Sequence, residues 1–188
     1  MKIATTIITT LILVGIISGQ ENPSTQAQRV VLDTPEVIAL KLVPVTRRAA
    51  AGIYKEVSGP FDEGNKIRFA LVGINTSLLP LTVRRWDHYS QNRPRLLRDN
   101  QEVAYREGLG ELLKKKDLET DDIVNISVIT LEPSNEKTLE NLDMKDWYDP
   151  LKPGHYELST QHRFVQGGKW VDSASITFEV KTTDSREQ

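Results

Sequence analysis

The sequence predicts an all-β fold, an antiparallel β-sandwich of six to seven strands with one short helix inserted near residues 109–118. Several runs alternate apolar and polar residues, as half-buried strands do, and turn-forming residues separate these runs. Only one segment has the spacing of an amphipathic helix. Because parallel strands need a long crossover, usually a helix, between them, a single candidate helix favours antiparallel pairing.

The N-terminal segment has the composition of an export signal. Lys2 precedes an uncharged apolar run over residues 3–17, and small residues follow, as in secretory signal peptides. The run is shorter than the ~20 residues of a membrane-spanning helix. We expect residues 1–19 to be a signal peptide, with cleavage after Gly19 or as late as Ala27; an uncleaved anchor is the alternative. The expected location is secreted, periplasmic or extracellular, with no membrane span after signal removal.

The rest of the chain divides into three parts. Residues 20–35 are polar and aperiodic, which predicts a flexible linker. Residues 36–182 predict a single β-sandwich domain, and residues 183–188 a disordered tail. A domain of this length buries enough surface to fold without cross-links, which fits the absence of cysteine from the 188 residues.

The first half of the domain contains three strand candidates. Residues 36–46 predict the first strand, with Pro44 at a sheet edge because proline cannot donate a ladder hydrogen bond. Residues 66–74 alternate and predict a half-buried strand. Residues 81–89 are the third candidate.

The middle of the chain is more mixed. Asp99 and Asn100 tolerate left-handed geometry and predict a small hairpin, which precedes the candidate helix. The β-branched run over residues 123–131 predicts a central strand. Residues 136–149 are acidic and predict a crossing loop that holds one helical turn.

The last third predicts a closing hairpin. Pro153-Gly154 is a turn signal, and the alternation that follows places Tyr156 and Leu158 on one face. A pair of glycines then reverses the chain before a second alternating run over residues 170–180. These two strands are the clearest structural pattern in the sequence.

The pattern Leu-x-Pro-Gly-x-Tyr-x-Leu over residues 151–158 resembles the corner of immunoglobulin-like and fibronectin type III-like domains, and the resemblance extends to residue 180. It implies an immunoglobulin-like sandwich in which the Tyr156 hydroxyl bonds back to the main chain and Pro153 and Gly154 form the corner. The absent cysteines favour the disulfide-free relatives. Because this sandwich carries many functions, the resemblance implies no particular activity.

A cluster of arginine and aromatic residues is the candidate binding surface. Arginine stacks on aromatic rings and forms bidentate hydrogen bonds, which suits anionic or sugar ligands. The candidate ligand-binding residues are Arg84, Trp86, His88, Tyr89, Arg93, Arg95 and Arg98. The alternative is a solvated strand face whose arginines pair with acidic residues elsewhere.

Composition and motifs predict no cofactor, no metal site and no nucleic-acid binding. The net charge of -2 offers no basic footprint for nucleic acid. Without cysteine, the three histidines, His88, His155 and His162, lack the spacing of a zinc site. The sequence shows neither a Gly-x-Ser-x-Gly elbow nor a Gly-rich phosphate loop.

The predicted function is therefore that of an exported, non-catalytic module that binds a protein or an anionic polymer outside the cytoplasm. One alternative is a carbohydrate-binding module that uses exposed rings of Trp86, Tyr89 or Tyr148. Another is a small secreted hydrolase with a loop-built site around His88 or His162.

Overall fold

The computed structural model describes residues 30–31, 37–47, 54–56, 59–119 and 127–183. The predicted signal peptide, most of the predicted linker and residues 184–188 of the predicted tail lie outside these ranges. The described residues are mostly β-strand in several antiparallel sheets, with two α-helices, which confirms the predicted fold class in its coarser form.

The described strands are β1 (Val30–Val31), β2 (Ile38–Arg47), β3 (Tyr54–Glu56), β4 (Phe61–Asp62), β5 (Arg68–Asn75), β6 (Leu81–Arg85), β7 (Asn92–Arg98), β8 (Gln101–Glu102), β9 (Ser127–Leu131), β10 (Glu136–Asp143), β11 (Gly154–Arg163), β12 (Trp170–Asp172) and β13 (Ile176–Lys181). The helices are α1 (His88–Gln91) and α2 (Leu109–Leu118), and a 3₁₀ turn spans Met144–Asp146.

The first sheet has the strand order β10-β5-β2-β3, and all its pairs are antiparallel. β2 pairs with β5 as far as Pro44 and with β3 from Val45 onward. Pro44 therefore lies where β2 has one partner among the described strands, so its missing N–H costs no ladder bond.

The second sheet has the order β4-β13-β11-β7-β8, with β12 also pairing with β11. The closing hairpin forms as predicted, but its second strand is split into β12 and β13. At the break, the Ser173 backbone N–H donates to the Thr160 carbonyl, and the Thr160 N–H donates to the Ser173 hydroxyl. The hydrogen bonding of β11 therefore continues across the gap between its two partners.

A third, small sheet has the order β1-β6-β9. β1 lies inside the predicted linker and pairs in parallel with Leu81 and Thr82 of β6. β9 is the described part of the run that predicted a central strand, but among the described strands it pairs only with β6, and it is largely exposed. The prediction of a central position was wrong for these residues, because β-branched composition indicates a strand without indicating its place in a sheet.

One apolar core joins the first two sheets. It contains Leu40, Phe69 and Leu71 from the first sheet together with Leu96 and Leu158 from the second. Across the same core, the Phe69 and Phe178 rings lie 5.1 Å apart between centroids. The inward faces of the two sheets therefore bury each other, and the outward face of the second sheet is left for other contacts.

Two segments differ from their predicted structure. The strand predicted over residues 81–89 ends early, and residues 88–91 form α1, because the Asp87 carboxylate accepts from the Ser90 N–H at 2.7 Å and caps the helix. Residues 136–143, predicted as loop, form β10. Only Leu139 and Leu142 of this strand are apolar, and a bulge between Thr138 and Glu140 breaks the alternation.

Two other local predictions are confirmed. Asp99 and Asn100 have φ values of 50° and 65° and connect β7 to β8, as expected for a turn between paired strands. α2 has the predicted bounds and buries Leu109 and Leu113. Within the described ranges, no helix has the length and apolar character needed to cross a lipid bilayer.

Candidate functional site

The outward face of the second sheet is built mainly by β11 and β7. Alternation along β11 turns Tyr156 and Leu158 inward and leaves Glu157, Ser159 and Gln161 facing out. Strand pairing places Ser159 beside Arg95 of β7, and Gln161 between Arg93 of β7 and Asp172 of β12. Side chains from three strands therefore meet along one strip.

Two grooves adjoin along this strip. The first has a volume of about 530 Å³ and is lined by Arg93, Arg95, Glu102, Tyr105, Ser159, Gln161, Trp170 and Asp172. The second has a volume of about 570 Å³, and its outward-facing lining includes Asp99, His155, Glu157, Thr177 and Glu179. Because Glu157 and Ser159 are successive outward residues of β11, the grooves lie end to end; we call them together the β11 strip.

Trp170 is the most firmly held aromatic residue of the β11 strip. The guanidinium carbons of Arg93 and Arg163 lie 4.8 Å and 4.7 Å from the centroid of its ring, a cation–π distance. Asp117 of α2 lies 2.6 Å from Arg93 and 3.7 Å from Arg163. Arg163 also donates to the Ser90 carbonyl at 2.8 Å, so both guanidinium groups that contact the ring are held by other partners.

The strip also carries adjacent donors and acceptors. The Arg95 guanidinium lies 3.1 Å from the Glu102 carboxylate, and the Gln161 amide donates to Asp172 at 3.0 Å. Each pair presents a planar donor beside a planar acceptor. Tyr105 lines the first groove with its ring, and its hydroxyl donates a hydrogen bond to the Pro94 carbonyl of β7.

The predicted arginine cluster is divided by the structure. Arg93 and Arg95 line the strip. Arg98 instead turns to the corner, where it donates to the Pro153 carbonyl at 2.7 Å. Arg84 is exposed on β6, in the small third sheet. These arginines do not form one continuous cationic groove.

The predicted aromatic members of the cluster pack around α1. The His88 ring lies 5.1 Å from that of Trp147, and the Tyr89 ring 5.2 Å from it. Trp86 is half-buried, and its backbone N–H donates to the Gln91 side chain. Tyr148, the third ring of the carbohydrate alternative, is buried. Trp86, His88 and Tyr89 therefore lie apart from the β11 strip.

A charged cluster lies behind α1. Glu140 Oε1 is 3.8 Å from His88 Nδ1 and 3.7 Å from Arg85. Burial acts to raise the pKa of Glu140, but the His88 side chain, the Asn141 backbone N–H and Arg85 together outweigh it, so this pKa is lowered. The cluster therefore holds Glu140 in its ionised form.

The buried His162 has a different environment. Its Nδ1 lies 2.8 Å from Asn92 Oδ1, and the Asn92 amide nitrogen donates to the His88 carbonyl. The amide oxygen therefore faces the imidazole, which requires a proton on Nδ1. Burial lowers the pKa of His162 to about 4, so the ring is neutral at neutral pH.

The described residues contain only part of the arrangement that the hydrolase alternative needs, because His88 lies 3.8 Å from the Glu140 carboxylate but no serine joins the pair. There, His162 is bonded to an amide and not to a carboxylate, and no serine hydroxyl hydrogen-bonds to either His88 or His162. The Ser90 hydroxyl donates to Asp87 instead. In the same ranges, no three His, Asp or Glu side chains converge as metal ligands would.

The corner before β11 is held by hydrogen bonds to two main-chain carbonyls. The Tyr156 hydroxyl donates to the Lys152 carbonyl at 2.6 Å. A Cβ at Gly154 would lie 2.8 Å from Arg98 Nε, so the glycine makes room for the arginine that binds the Pro153 carbonyl. These contacts fix the start of β11 and thereby one end of the strip.

Sequence reasoning missed Arg163 and Trp170 as members of the site. The available signal was the closing hairpin, since its register places these two residues opposite each other. Asp117 could not be found in this way, because its position depends on how α2 packs against the sheet.

No protein-family model matches the sequence, and no curated protein is significantly similar to it. A β-glucosidase from Listeria innocua superposes with a TM-score of 0.34 and 10% identity, covering 78% of this chain and 16% of that chain. A mutant β-glucosidase from the same organism with laminaribiose gives 0.32 and 10%, covering 86% and 20%. The complex with isofagomine gives 0.34 and 10%, covering 87% and 21%. Likeness this partial carries no argument about the fold or activity of this chain.

Proposed function

We propose that this chain is an exported, non-catalytic binding module that acts outside the cytoplasm and holds its protein or polymer partner along the β11 strip. The observation that carries the proposal is the pair of adjoining grooves on one sheet face. An elongated open surface suits an extended or large partner, whereas sites for small molecules are usually concave and enclosing.

We further propose that the domain is an immunoglobulin-like sandwich. If the short strands are set aside, the six longer strands of the first two sheets occur in the chain order β2, β5, β7, β10, β11, β13. The first, second and fourth share one sheet, and the third, fifth and sixth share the other. This partition is that of the A, B, E and C, F, G strands of immunoglobulin-like domains. The Tyr156 hydrogen bond near the start of β11 supports the same assignment.

The charges of the strip limit the kinds of partner that it can bind. Its lining contains five carboxylates, from Asp99, Glu102, Glu157, Asp172 and Glu179, against the two guanidinium groups of Arg93 and Arg95. Such a surface repels a polyanion. The partner proposed here is therefore a protein or polymer without a dense negative charge.

The proposal is tested by capture with the protein processed by an exporting host. The immobilised protein is incubated with extracts of envelope proteins and envelope polymers. Ser159→Arg places a bulky side chain where the two grooves meet, and Thr130→Arg places the same side chain on the exposed face of β9. We expect Ser159→Arg to lose the captured partner and Thr130→Arg to retain it.

Two results would contradict the proposal. One is equal capture by both variants, which would place the partner elsewhere on the surface. The other is turnover of a small substrate by the purified protein, since a non-catalytic module has no such activity. Circular dichroism of both variants controls for loss of fold.

A further inference from the structure

We infer that the β11 strip binds a neutral polysaccharide chain, laid along β11 with its sugar rings against Trp170 and Tyr105. This inference rests on the proposed binding function and names the chemistry of the partner. It is carried by the hydrogen-bonding groups of the strip, its charge, and the strand pairing beneath it.

The hydrogen-bonding groups match sugar hydroxyls. A hydroxyl both donates and accepts, so a surface that recognises several of them needs donors beside acceptors. The Arg95–Glu102 pair and the Gln161–Asp172 pair each provide both, at 3.1 Å and 3.0 Å between the paired atoms. Each pair keeps a donor and an acceptor side by side, so one sugar hydroxyl can bond to both.

The aromatic residues add an apolar surface of fixed geometry. Trp170 is half-buried and lies within cation–π distance of the guanidinium groups of Arg93 and Arg163, and Tyr105 is fixed by its bond to the Pro94 carbonyl. Rigid aromatic side chains supply contact area at small entropic cost. A sugar ring has apolar C–H groups as well as hydroxyls, so it can use both parts of this surface.

Charge selects a neutral chain over an acidic one. The lining of the strip has five carboxylates and two guanidinium groups. Asp117 pairs with Arg93, while Arg98 and Lys181 lie 3.7 Å and 3.9 Å from the carboxylates of Asp99 and Glu179, which leaves a small excess of negative charge. A uronate or sulfate group would meet an excess of negative charge. A chain of uncharged sugars meets none of this repulsion and can use the carboxylates as acceptors.

Strand pairing argues against an extended peptide at the same place. Bound peptides commonly add a strand to an exposed sheet edge. β11 is paired on one side with β7 and on the other with β12 and β13, and β7 lies between β11 and β8. The main-chain groups of β11 are therefore occupied, whereas β7 has β8 beside it only at Leu97 and Arg98. Along β11 itself, only side chains remain to bind a ligand.

The dimensions suit a polymer. Four successive outward positions of β11, from His155 to Gln161, span about 20 Å at the usual rise per residue. The two grooves along them are open at the surface and adjoin. The strip is therefore long enough to contact several sugar rings of one chain.

Affinity electrophoresis in native gels tests the inference. Gels contain laminarin, hydroxyethylcellulose or glucomannan as neutral polymers, polygalacturonate or heparin as polyanions, and polylysine as a basic peptide. We expect retardation by at least one neutral polymer and none by the polyanions. Trp170→Ala and Gln161→Ala should each weaken that affinity about tenfold, as contacts central to an interface do. Arg84→Ala, on the small third sheet, should leave it unchanged.

The outcomes separate this inference from the proposed function. If no neutral polymer retards the protein while Ser159→Arg still abolishes capture from envelope extracts, the sugar chemistry is wrong and the binding module stands. If neither the retardation by neutral polymers nor the capture from envelope extracts depends on the strip, the inference and the proposed function are both wrong. Retardation by polylysine alone would indicate a basic peptide and overturn the inference. Gln161→Ala is a second test in case Trp170→Ala does not fold, because Gln161 is exposed. If a neutral polymer retards the protein and Gln161→Ala does not reduce this retardation, the inference is also overturned.

Discussion

At the scale of single residues, three tyrosine hydroxyl groups hold parts of the main chain in place. Tyr105 and Tyr148 both donate to the Pro94 carbonyl, at 2.7 Å and 2.8 Å. Tyr156 donates to the Lys152 carbonyl at 2.6 Å. Burial raises the pKa of each of the three phenols, so they remain protonated donors well above neutral pH.

We predict that Tyr156→Phe lowers the free energy of unfolding by about 0.5–1.5 kcal/mol, the usual net contribution of one hydrogen bond. The ring stays in the core, and only the bond to the Lys152 carbonyl is lost. Urea unfolding followed by tryptophan fluorescence measures the change. Tyr89→Phe is the control, because the Tyr89 hydroxyl forms no hydrogen bond with a described residue. Equal losses in the two variants would show that the corner bond contributes nothing.

Single-residue roles were predictable where they depend on neighbours in sequence. The Pro153-Gly154 turn and Tyr156 lie within four residues of each other, so the local pattern specifies their arrangement. By contrast, Arg93 and Trp170 meet only after β7, β11 and β12 have paired. An arginine-rich segment in the sequence therefore did not reveal which arginine contacts which ring.

At the scale of elements, close approach between β5 and β10 depends on one glycine. A Cβ at Gly73 would lie 2.8 Å from Leu139 Cδ1 and 3.0 Å from its Cγ. Leu139 is fully buried and is the unpaired residue of the bulge that interrupts β10. The leucine therefore fills the space that the missing side chain leaves.

We predict that Gly73→Ala destabilises the protein by about 1–3 kcal/mol, the usual cost of overpacking a core. The matched change is Gly110→Ala in α2, where no atom lies within 4 Å of the new Cβ. That variant should be stabilised by about 0.5–1 kcal/mol through helix propensity. Thermal unfolding of both proteins measures the difference. A stabilised Gly73→Ala protein would contradict the packing described for β5 and β10.

Elements were predictable where hydrophobic periodicity and turn residues agree. The closing hairpin, α2 and the Asp99-Asn100 turn all have such patterns. β10 was missed because it is an edge strand with few apolar residues, and edge strands carry polar side chains on their exposed positions. The helix α1 was missed because a single capping carboxylate, Asp87, outweighs the strand-like composition around it.

At the scale of the whole molecule, the burial of His162 links stability to pH. Its pKa is lowered from 6.5 to about 4, mainly by burial; Glu140 acts to raise it and Arg85 to lower it. The unfolded chain therefore binds a proton below about pH 6.5, while the folded protein does not until about pH 4. Protonation over this window favours the unfolded state.

We predict that the free energy of unfolding falls as the pH decreases from about 6.5 to about 4, and that His162→Gln flattens this decrease. Glutamine can donate to Asn92 but does not titrate. His155→Gln, at an exposed position, should leave the slope unchanged. Glu140 adds a separate loss at lower pH, as the solution passes through its lowered pKa. Urea unfolding of the protein and of both variants at a series of pH values measures these changes. If the decrease in the free energy of unfolding were as steep in His162→Gln, the link between His162 and pH-dependent stability would be refuted.

The overall class was predictable, because alternation and turn residues recur along the chain. The placement of the ligand surface was not. It depends on which face of the second sheet the first sheet does not cover, among the described residues, and on α2 lying against one end of that face through Asp117. Neither fact is a property of any one segment.

The most direct test of the account is a ¹H–¹⁵N NMR titration of the protein with a neutral polysaccharide fragment. Binding along the β11 strip predicts that the Trp170 indole N–H and Gln161 side-chain amide signals shift together, while the signal of the buried Trp147 indole stays in place. Shifts confined to the depression of about 380 Å³ around Lys66 and Lys145, or no shift at Trp170 at saturating ligand, would contradict the assignment of the strip as the binding surface.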